Sequence, residues 1–215
     1  MKDNTDLSSI VPMRQPLAPV SLVVWLMIGL ACMVIDPMIQ PFLTHCGQVT
    51  AIRYVAESWQ ELDATTGVVL VLSAGVLLAW RDKGHTLIRF APGLIGASLA
   101  VQTLKHLVGR VRPNDVGDVS VFVGPNNPFA HHAMQLDSMP SGHTTAAFAM
   151  AAMLAWRWLR FRWGWFVLAA GVGCARTLVD RHFVSDVIVG AWLGVVVAIT
   201  VFKLCATRFT PAHNA

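Results

Sequence analysis

Six apolar stretches recur along the chain, and each is long enough, or nearly so, to cross the hydrocarbon core of a bilayer. A spanning helix needs roughly 20 mostly apolar residues, because each residue adds about 1.5 Å and the core is about 30 Å thick. Lipid offers the backbone no hydrogen-bond partner, so such stretches are expected to be α-helices. They cover about residues 17–35, 65–80, 86–104, 142–159, 163–179 and 183–204.

The composition indicates the same class of fold. Hydrophobic residues make up 55% of the 215 residues and charged residues only 13%, about half the charged share of a soluble domain. We therefore expect an all-α integral membrane protein, a polytopic six-helix bundle over residues 17–205. A polar tail is expected at 1–16 and another at 206–215. The segment from Gln40 to Asp63 is expected to be a loop that could hold a short interfacial helix.

The lysines and arginines divide unevenly between the two ends of the predicted helices. One side receives ten of the 16, and cytoplasmic loops carry such an excess in membrane proteins. Five of the eight tryptophans cluster at that boundary, as in an interfacial belt. The net charge of +4 is thus expected to reflect topology and not nucleic-acid binding. The smaller set should face the periplasm or exterior of a bacterial inner membrane, and it comprises Arg53, Lys105, Arg110, Arg112, Arg176 and Arg181.

A short run, Met-Pro-Ser-Gly-His, ends at His143 and opens the fourth predicted helix. Pro140 suits a first helical turn, and Ser141 is a good cap. Gly142 removes the side chain that would keep a ligand from the backbone. The positive end of the helix dipole favours an anion there, and His143 adds a titratable group at the rim. Such a run also occurs at the start of helices that bind nothing, so a functional interpretation needs support from other segments of the chain.

Two further segments, 105–113 and 176–186, end apolar stretches on the same predicted side. Lys105, Arg112 and Arg176 offer three positive charges to a phosphate monoester, which carries about two negative ones. The planar fork of arginine suits bidentate contact with phosphoryl oxygens, and lysine adds a point charge. The alternative is that these side chains bind no ligand and only extend their charged ends towards the membrane surface, as lysines and arginines near a membrane interface often do. The joint spacing favours a phosphate site.

His182 and Asp186 stand four residues apart at the start of the sixth predicted helix. Asp186 can then accept a hydrogen bond from one imidazole nitrogen and leave the other free as a nucleophile. The pair could instead only cap the helix, but a carboxylate within a membrane span is costly, which favours a functional role. His143 is then available as the general acid that protonates the leaving oxygen.

The three segments together resemble the signature of the type 2 phosphatidic acid phosphatase family, which shares its site with vanadium haloperoxidases. That signature reads Lys-x6-Arg-Pro, then Pro-Ser-Gly-His, then Ser-Arg-x5-His-x3-Asp. This chain carries it at 105–113, 140–143 and 176–186, with Ala175 in place of the family serine. A hydroxyl contact from that position is therefore absent.

The resemblance implies a set of roles. His182 would attack phosphorus, Asp186 would orient it, and His143 would protonate the leaving group, with no metal and no cofactor. The residues implied in phosphate binding are Lys105, Arg112, Arg176, Ser141 and Gly142. The adjacent His131 and His132 do not readily converge on one metal ion and are expected to lie in a solvated loop.

The expected function is that of a membrane-embedded lipid phosphatase working through a phosphohistidine. The candidate substrates are phosphatidate, phosphatidylglycerol phosphate, undecaprenyl pyrophosphate and the lipid A class. Arg110 and Arg181 either extend to the membrane surface or serve a second phosphate, which would favour a pyrophosphate. Lipid-to-lipid phosphotransfer is one alternative. The other is a non-catalytic protein that binds or transports a lipid headgroup, although mere binding does not need His182 with Asp186.

Overall fold

The computed structural model describes residues 19–61, 85–116, 120–125 and 136–208. This part of the chain is mostly helical, which confirms the expected helical class, and it contains one isolated antiparallel bridge, between Arg110 and Phe122. The helices are α1 (Pro19–Gln48), α2 (Thr50–Glu61), α3 (His85–Val108), α4 (Pro113–Val116), α5 (Gly142–Arg157), α6 (Arg162–Leu178) and α7 (Val184–Arg208), with a 3₁₀ turn at Leu159–Phe161.

Helices α3, α5, α6 and α7 agree closely with the apolar stretches that predict them. Within the part of the chain that the structure describes, two helices are long and apolar enough to cross a membrane by length and composition, Ser21–Gln48 and Val184–Leu204. The predicted helix over 65–80, most of the two tails and the His131–His132 segment lie outside the described residues. The count of six spanning helices stays a prediction.

The first helix is longer than its apolar stretch predicts. A loop was expected from Gln40, but α1 continues through Pro37 and Pro41 to Gln48. A proline inside a helix removes a hydrogen bond and usually ends or kinks it. Here the side chains of Asp36 and Gln40 are buried and bonded to distant parts of the protein, which supports the helix beyond its prolines. The loop prediction was wrong for this stretch because those contacts are tertiary. The short helix expected within the loop is present as α2.

Glycines on α7 allow it to pack closely against α5. A Cβ atom at Gly194 would lie 2.2 Å from the carbonyl oxygen of Thr145, and one at Gly190 would lie 2.7 Å from that of Ser141. The two glycines are one turn apart and so share a face of α7. This approach brings the start of α5 against the start of α7, where the Ser141 N–H donates to the Asp186 carbonyl at 3.1 Å.

The apolar core joins the same helices. One buried cluster links α3, α5 and α7, and a second links α5, α6 and α7. Their buried members are Ala97, Ala149, Met153 and Ala198 in the first, and Phe148, Ala151, Ala169, Ala191 and Val195 in the second. The core therefore holds α3, α5, α6 and α7 in one assembly.

Candidate active site

The three predicted segments meet at one end of these helices. Lys105 lies in the last turn of α3, and a Cβ atom at Gly142, the first residue of α5, would lie 3.8 Å from its Nζ. Arg176 lies in the last turn of α6 and is buried. Its carbonyl accepts hydrogen bonds from the N–H groups of Arg181 and His182, at 3.1 and 3.3 Å. The structure thus gathers residues as far apart in the sequence as Lys105 and His182.

A glycine ends α3 and turns the chain into the site. Gly109 has a φ of +56°, and its N–H donates to the Lys105 carbonyl at 3.0 Å. Glycine is favoured at this position because a side chain is strained in the left-handed region. A Cβ atom there would also lie 2.4 Å from the carbonyl oxygen of Gly124. This turn sets the direction of the next residues, Arg110 to Arg112.

Lys105 and Arg112 share a carboxylate that the sequence reasoning missed. Arg112 donates from Nε and Nη2 to the two carboxylate oxygens of Asp137, at 2.9 and 2.8 Å. The Nζ atom of Lys105 lies 3.4 Å from the same carboxylate. Burial alone would raise the pKa of Asp137, but the two cations outweigh it and hold that pKa below its usual range. The carboxylate is therefore charged at neutral pH.

The imidazole of His182 is buried and held by a backbone carbonyl. Its Nδ1 atom lies 2.7 Å from the carbonyl oxygen of Ser138, and its side chain is 2% exposed. The sequence predicts a hydrogen bond from the imidazole to Asp186. In the structure Asp186 stands beside the ring, but its Oδ2 atom is 3.8 Å from Nδ1, so the Ser138 carbonyl is the nearer acceptor. Burial, opposed by Asp186, lowers the pKa of His182. The ring is thus neutral at pH 7, with Nδ1–H as donor and Nε2 as the basic nitrogen.

Asp186 is held by donors on both of its oxygens. Arg110 donates to Oδ1 at 2.6 Å, while the Ser138 hydroxyl and the Phe183 N–H donate to Oδ2 at 2.6 and 2.9 Å. Ser138 therefore contacts His182 through its carbonyl and Asp186 through its hydroxyl. Ser138, the residue after Asp137, thus fixes the position of His182 relative to Asp186.

Arg110 has neither role that the sequence suggested for it. Its side chain is fully buried, so it neither extends to the membrane surface nor is available to a second phosphate. It binds Asp186, Ser185 and, through Nη2 at 2.8 Å, Asp36 of α1. Its guanidinium also lies over the ring of Phe183, 4.1 Å from the centroid. Arg110 pairs with the carboxylates of Asp36 and Asp186, because a buried charge is costly unless it is paired and hydrogen-bonded.

Asp36 is a residue that sequence reasoning could have found. It is a carboxylate at the end of the first apolar stretch, and ionisable groups in membrane spans are usually functional or paired. In the structure it is buried, and its oxygens accept from Arg110 and from the Ser185 backbone and hydroxyl. This contact ties α1 to the start of α7.

Arg181 lies apart from Arg110. It lines a cavity of about 200 Å³ between the end of α1, α2 and the end of α6, where none of the predicted phosphate ligands lies. The loop before it is anchored by Asp180, whose carboxylate accepts from Gln40 and Thr44 of α1 at 2.9 and 2.6 Å. Arg110 and Arg181 therefore do not form one second phosphate site.

The start of α5 differs in detail from the prediction. The helix begins at Gly142, so Pro140 precedes it and is not in its first turn. Ser141 occupies the capping position, but its hydroxyl lies 2.9 Å from the Thr144 hydroxyl and makes no capping bond. His143 is exposed in the first turn, where helical N–H groups point away from the helix. Among the described residues, no group of three or more potential ligands could hold a metal ion.

Comparison with known proteins decides the family. The model of the PAP2 superfamily matches residues 86–210, more than half of the chain. The chain belongs to the PAP2 superfamily. The family resemblance drawn from the three motifs is therefore confirmed.

Individual relatives of this PAP2 protein include two lipid A 1-phosphatases. That of Rhizobium johnstonii is 34% identical over 125 residues, 56% of this chain and 50% of the relative. That of Rhizobium etli is 33% identical over 125 residues, 56% of this chain and 52% of the relative. The chain thus spans about half the length of these curated relatives. The bacitracin transport permease protein BcrC of Bacillus licheniformis is 26% identical over 166 residues, 72% of this chain and 78% of the relative.

Two solved structures share the fold. Aquifex aeolicus LpxE has a TM-score of 0.60 at 20% identity, over 77% of this chain and 93% of that one. The PAP2-type phosphatidylglycerolphosphate phosphatase of Bacillus subtilis has a TM-score of 0.65 at 21% identity, over 91% of this chain and 98% of that one. The second likeness extends well beyond the three motifs and includes most of the described helices.

Proposed function

We propose that this PAP2 protein is a membrane-embedded lipid phosphatase that forms a phosphohistidine on His182. The observation that carries the proposal is the buried imidazole held through Nδ1 by the Ser138 carbonyl at 2.7 Å, in the assembly that also contains Lys105, Arg112 and Arg176. A neutral imidazole with one fixed nitrogen has the other available as a nucleophile. A protein that only bound or carried headgroups would have no need of this arrangement.

The proposed reaction has two steps. Lys105, Arg112 and Arg176 neutralise the phosphoryl oxygens, with Gly142 and Ser141 at the helix start, and Nε2 of His182 attacks phosphorus. The bond to the lipid oxygen breaks, and His143 donates a proton to that oxygen. Water then attacks the phosphohistidine and releases phosphate. Asp186 orients the ring through Ser138, and its charge stabilises the imidazolium that forms.

The exposed surface of the helices supports a membrane location. Val34 and Met38 of α1 are each 78% exposed and Val167 of α6 is 70% exposed, although large apolar side chains normally avoid water. The charge asymmetry of the sequence supports a periplasmic or exterior site. A reporter fused at the turn between α5 and α6 should therefore read cytoplasmic, and a periplasmic reading would invert this orientation.

The substrate is proposed as a phosphate or pyrophosphate on a lipid. Lipid A 1-phosphatases among the relatives favour the lipid A class as substrate. Glycerophospholipids are a second candidate class, because a phosphatidylglycerolphosphate phosphatase is among the similar structures. Transfer to a second lipid is the related alternative, because a lipid hydroxyl can replace water in the second step. We propose that no metal takes part, since the predicted ligands are cations where metallophosphatases cluster carboxylates.

The test is phosphate release by the purified full-length protein from a panel of these lipid phosphates, with and without EDTA. We expect release from at least one lipid, unaffected by EDTA and abolished in His182→Ala. His45→Ala is the matched control, because His45 is exposed at the end of α1. Full activity in a folded His182→Ala protein would overturn the assignment. Transfer of label to a second lipid and not to water would favour the alternative.

A further inference from the structure

We propose that Asp137 is an internal competitor for the phosphate site: its carboxylate occupies Lys105 and Arg112 in the empty enzyme and leaves them when phosphate binds. The inference rests on the proposed function, which assigns those two cations to phosphate. It gives Asp137 a defined effect, namely to lower the affinity of the site for phosphate and so to favour release of the product.

The contact geometry is that of a bound oxyanion. Arg112 presents Nε and Nη2 to the two oxygens of Asp137 at 2.9 and 2.8 Å, the parallel pair of bonds that arginine also makes to phosphate. Lys105 lies 3.4 Å from one of these oxygens. A phosphoryl group cannot take the same edge of the guanidinium while the carboxylate remains there. The two anions therefore exclude each other at Arg112.

Asp137 is placed so that its side chain can leave. Its side chain is 49% exposed, whereas those of Lys105 and Arg112 are 12% and 17% exposed. Rotation into water costs an exposed carboxylate little, because its hydration is already partly in place. The fully buried carboxylates of Asp36 and Asp186 have no such freedom.

The backbone next to Asp137 does not need to move with it. Ser138 donates its N–H to the Arg110 carbonyl at 3.0 Å and its hydroxyl to Asp186 at 2.6 Å, and its carbonyl lies 2.7 Å from Nδ1 of His182. The displacement is thus confined to the Asp137 side chain. His182 keeps its position whether the cations hold the carboxylate or a phosphate.

Charge balance explains why such a competitor is useful. The three cations proposed to bind phosphate would meet a ligand with about two negative charges, and the inorganic phosphate product offers them the same kind of oxygens as the substrate. A carboxylate of the chain that returns to two of those cations opposes retention of that product. If the site is open in about one molecule in ten, the apparent dissociation constant rises roughly tenfold.

The experiment measures competitive inhibition by inorganic phosphate and orthovanadate, together with calorimetric binding of phosphate to the detergent-solubilised full-length protein. We expect Asp137→Asn to bind both anions roughly tenfold more tightly than the wild type, as removal of the competitor requires. Asp137→Glu, which keeps the charge, should stay much closer to the wild type. Glu57→Gln is the matched control, because Glu57 pairs with exposed Arg53 on α2.

Unchanged or weaker anion binding in Asp137→Asn would overturn the proposal, and weaker binding would show that Asp137 instead positions the two cations. Asp137→Ser repeats the test if the asparagine variant does not fold. Failure of the proposed function is a separate result, in which the wild type releases phosphate from no lipid. Calorimetric phosphate binding then still tests Asp137, because it does not depend on turnover.

Discussion

The guanidinium of Arg110 and the carboxylate of Asp186 form an ion pair at 2.6 Å, and solvent reaches neither side chain. The same guanidinium binds Asp36 at 2.8 Å, so one cation neutralises carboxylates from α1 and α7. Charges in a low-dielectric interior are tolerated when they are paired and hydrogen-bonded. This pairing fixes Asp186 behind the proposed nucleophile and joins the first helix to the site.

Replacement of Arg110 by alanine should strongly destabilise the protein. The change leaves two buried carboxylates without their cation, and breaking a buried pair in this way typically costs about 3–5 kcal/mol. Arg53→Ala is the control, since the exposed Arg53–Glu57 pair is expected to contribute about 1 kcal/mol or less. Thermal unfolding of both variants in the same detergent measures the difference. Equal stability of the two variants would contradict the role given to Arg110.

The two histidines should respond differently to substitution. His182→Ala should lose turnover of every substrate, because the phosphorus–nitrogen bond cannot form. His143→Ala should lose about 10²–10⁴-fold on a lipid phosphate but much less on an aryl phosphate, whose leaving group departs with little help. Rapid quenching with labelled aryl phosphate should trap an acid-labile phosphoprotein in His143→Ala and none in His182→Ala. Label retained in His182→Ala would place the nucleophile elsewhere.

Acidification should remove stability through His182. Burial lowers the pKa of its imidazole from the ordinary value of 6.5, so the unfolded chain takes up the proton before the folded protein does. This contribution to stability is complete above about pH 6.5 and is lost as the pH falls towards the lowered pKa. Unfolding measured at several pH values below neutrality should show a smaller loss in His182→Asn than in the wild type. An equal loss of stability in both proteins would contradict the role given to His182.

Gly194→Ala should destabilise the protein and reduce activity together. The added methyl group would lie 2.2 Å from the Thr145 carbonyl oxygen, so α5 and α7 must separate. Overpacking of this kind typically costs about 1–3 kcal/mol, and here it also displaces His143 from His182. Gly164→Ala is the matched control, because nothing lies within 4 Å of its added methyl, and alanine favours a helix by about 1 kcal/mol over glycine. A Gly194→Ala protein as stable as Gly164→Ala would contradict the close packing.

Local sequence predicts the parts of this protein that depend on neighbouring residues. Apolar length predicts α3, α5, α6 and α7, because a helix satisfies its own backbone hydrogen bonds within each stretch. The spacing of Lys105 and Arg112, and that of His182 and Asp186, predicts the candidate site because each pair lies within one short segment. Those segments also carry the family likeness that the comparison confirms.

Only the tertiary structure decided which charges meet. Arg110 and Arg112 are two residues apart, yet one is buried between Asp36 and Asp186 and the other faces a half-exposed carboxylate at Asp137. Nothing in the spacing separates these two outcomes. The partner of a charge depends on which helix lies opposite and how closely it packs. That approach is set by glycines on α7 and by a first helix that continues past two prolines. Such contacts join residues far apart in the chain, where local propensity carries no information about distance.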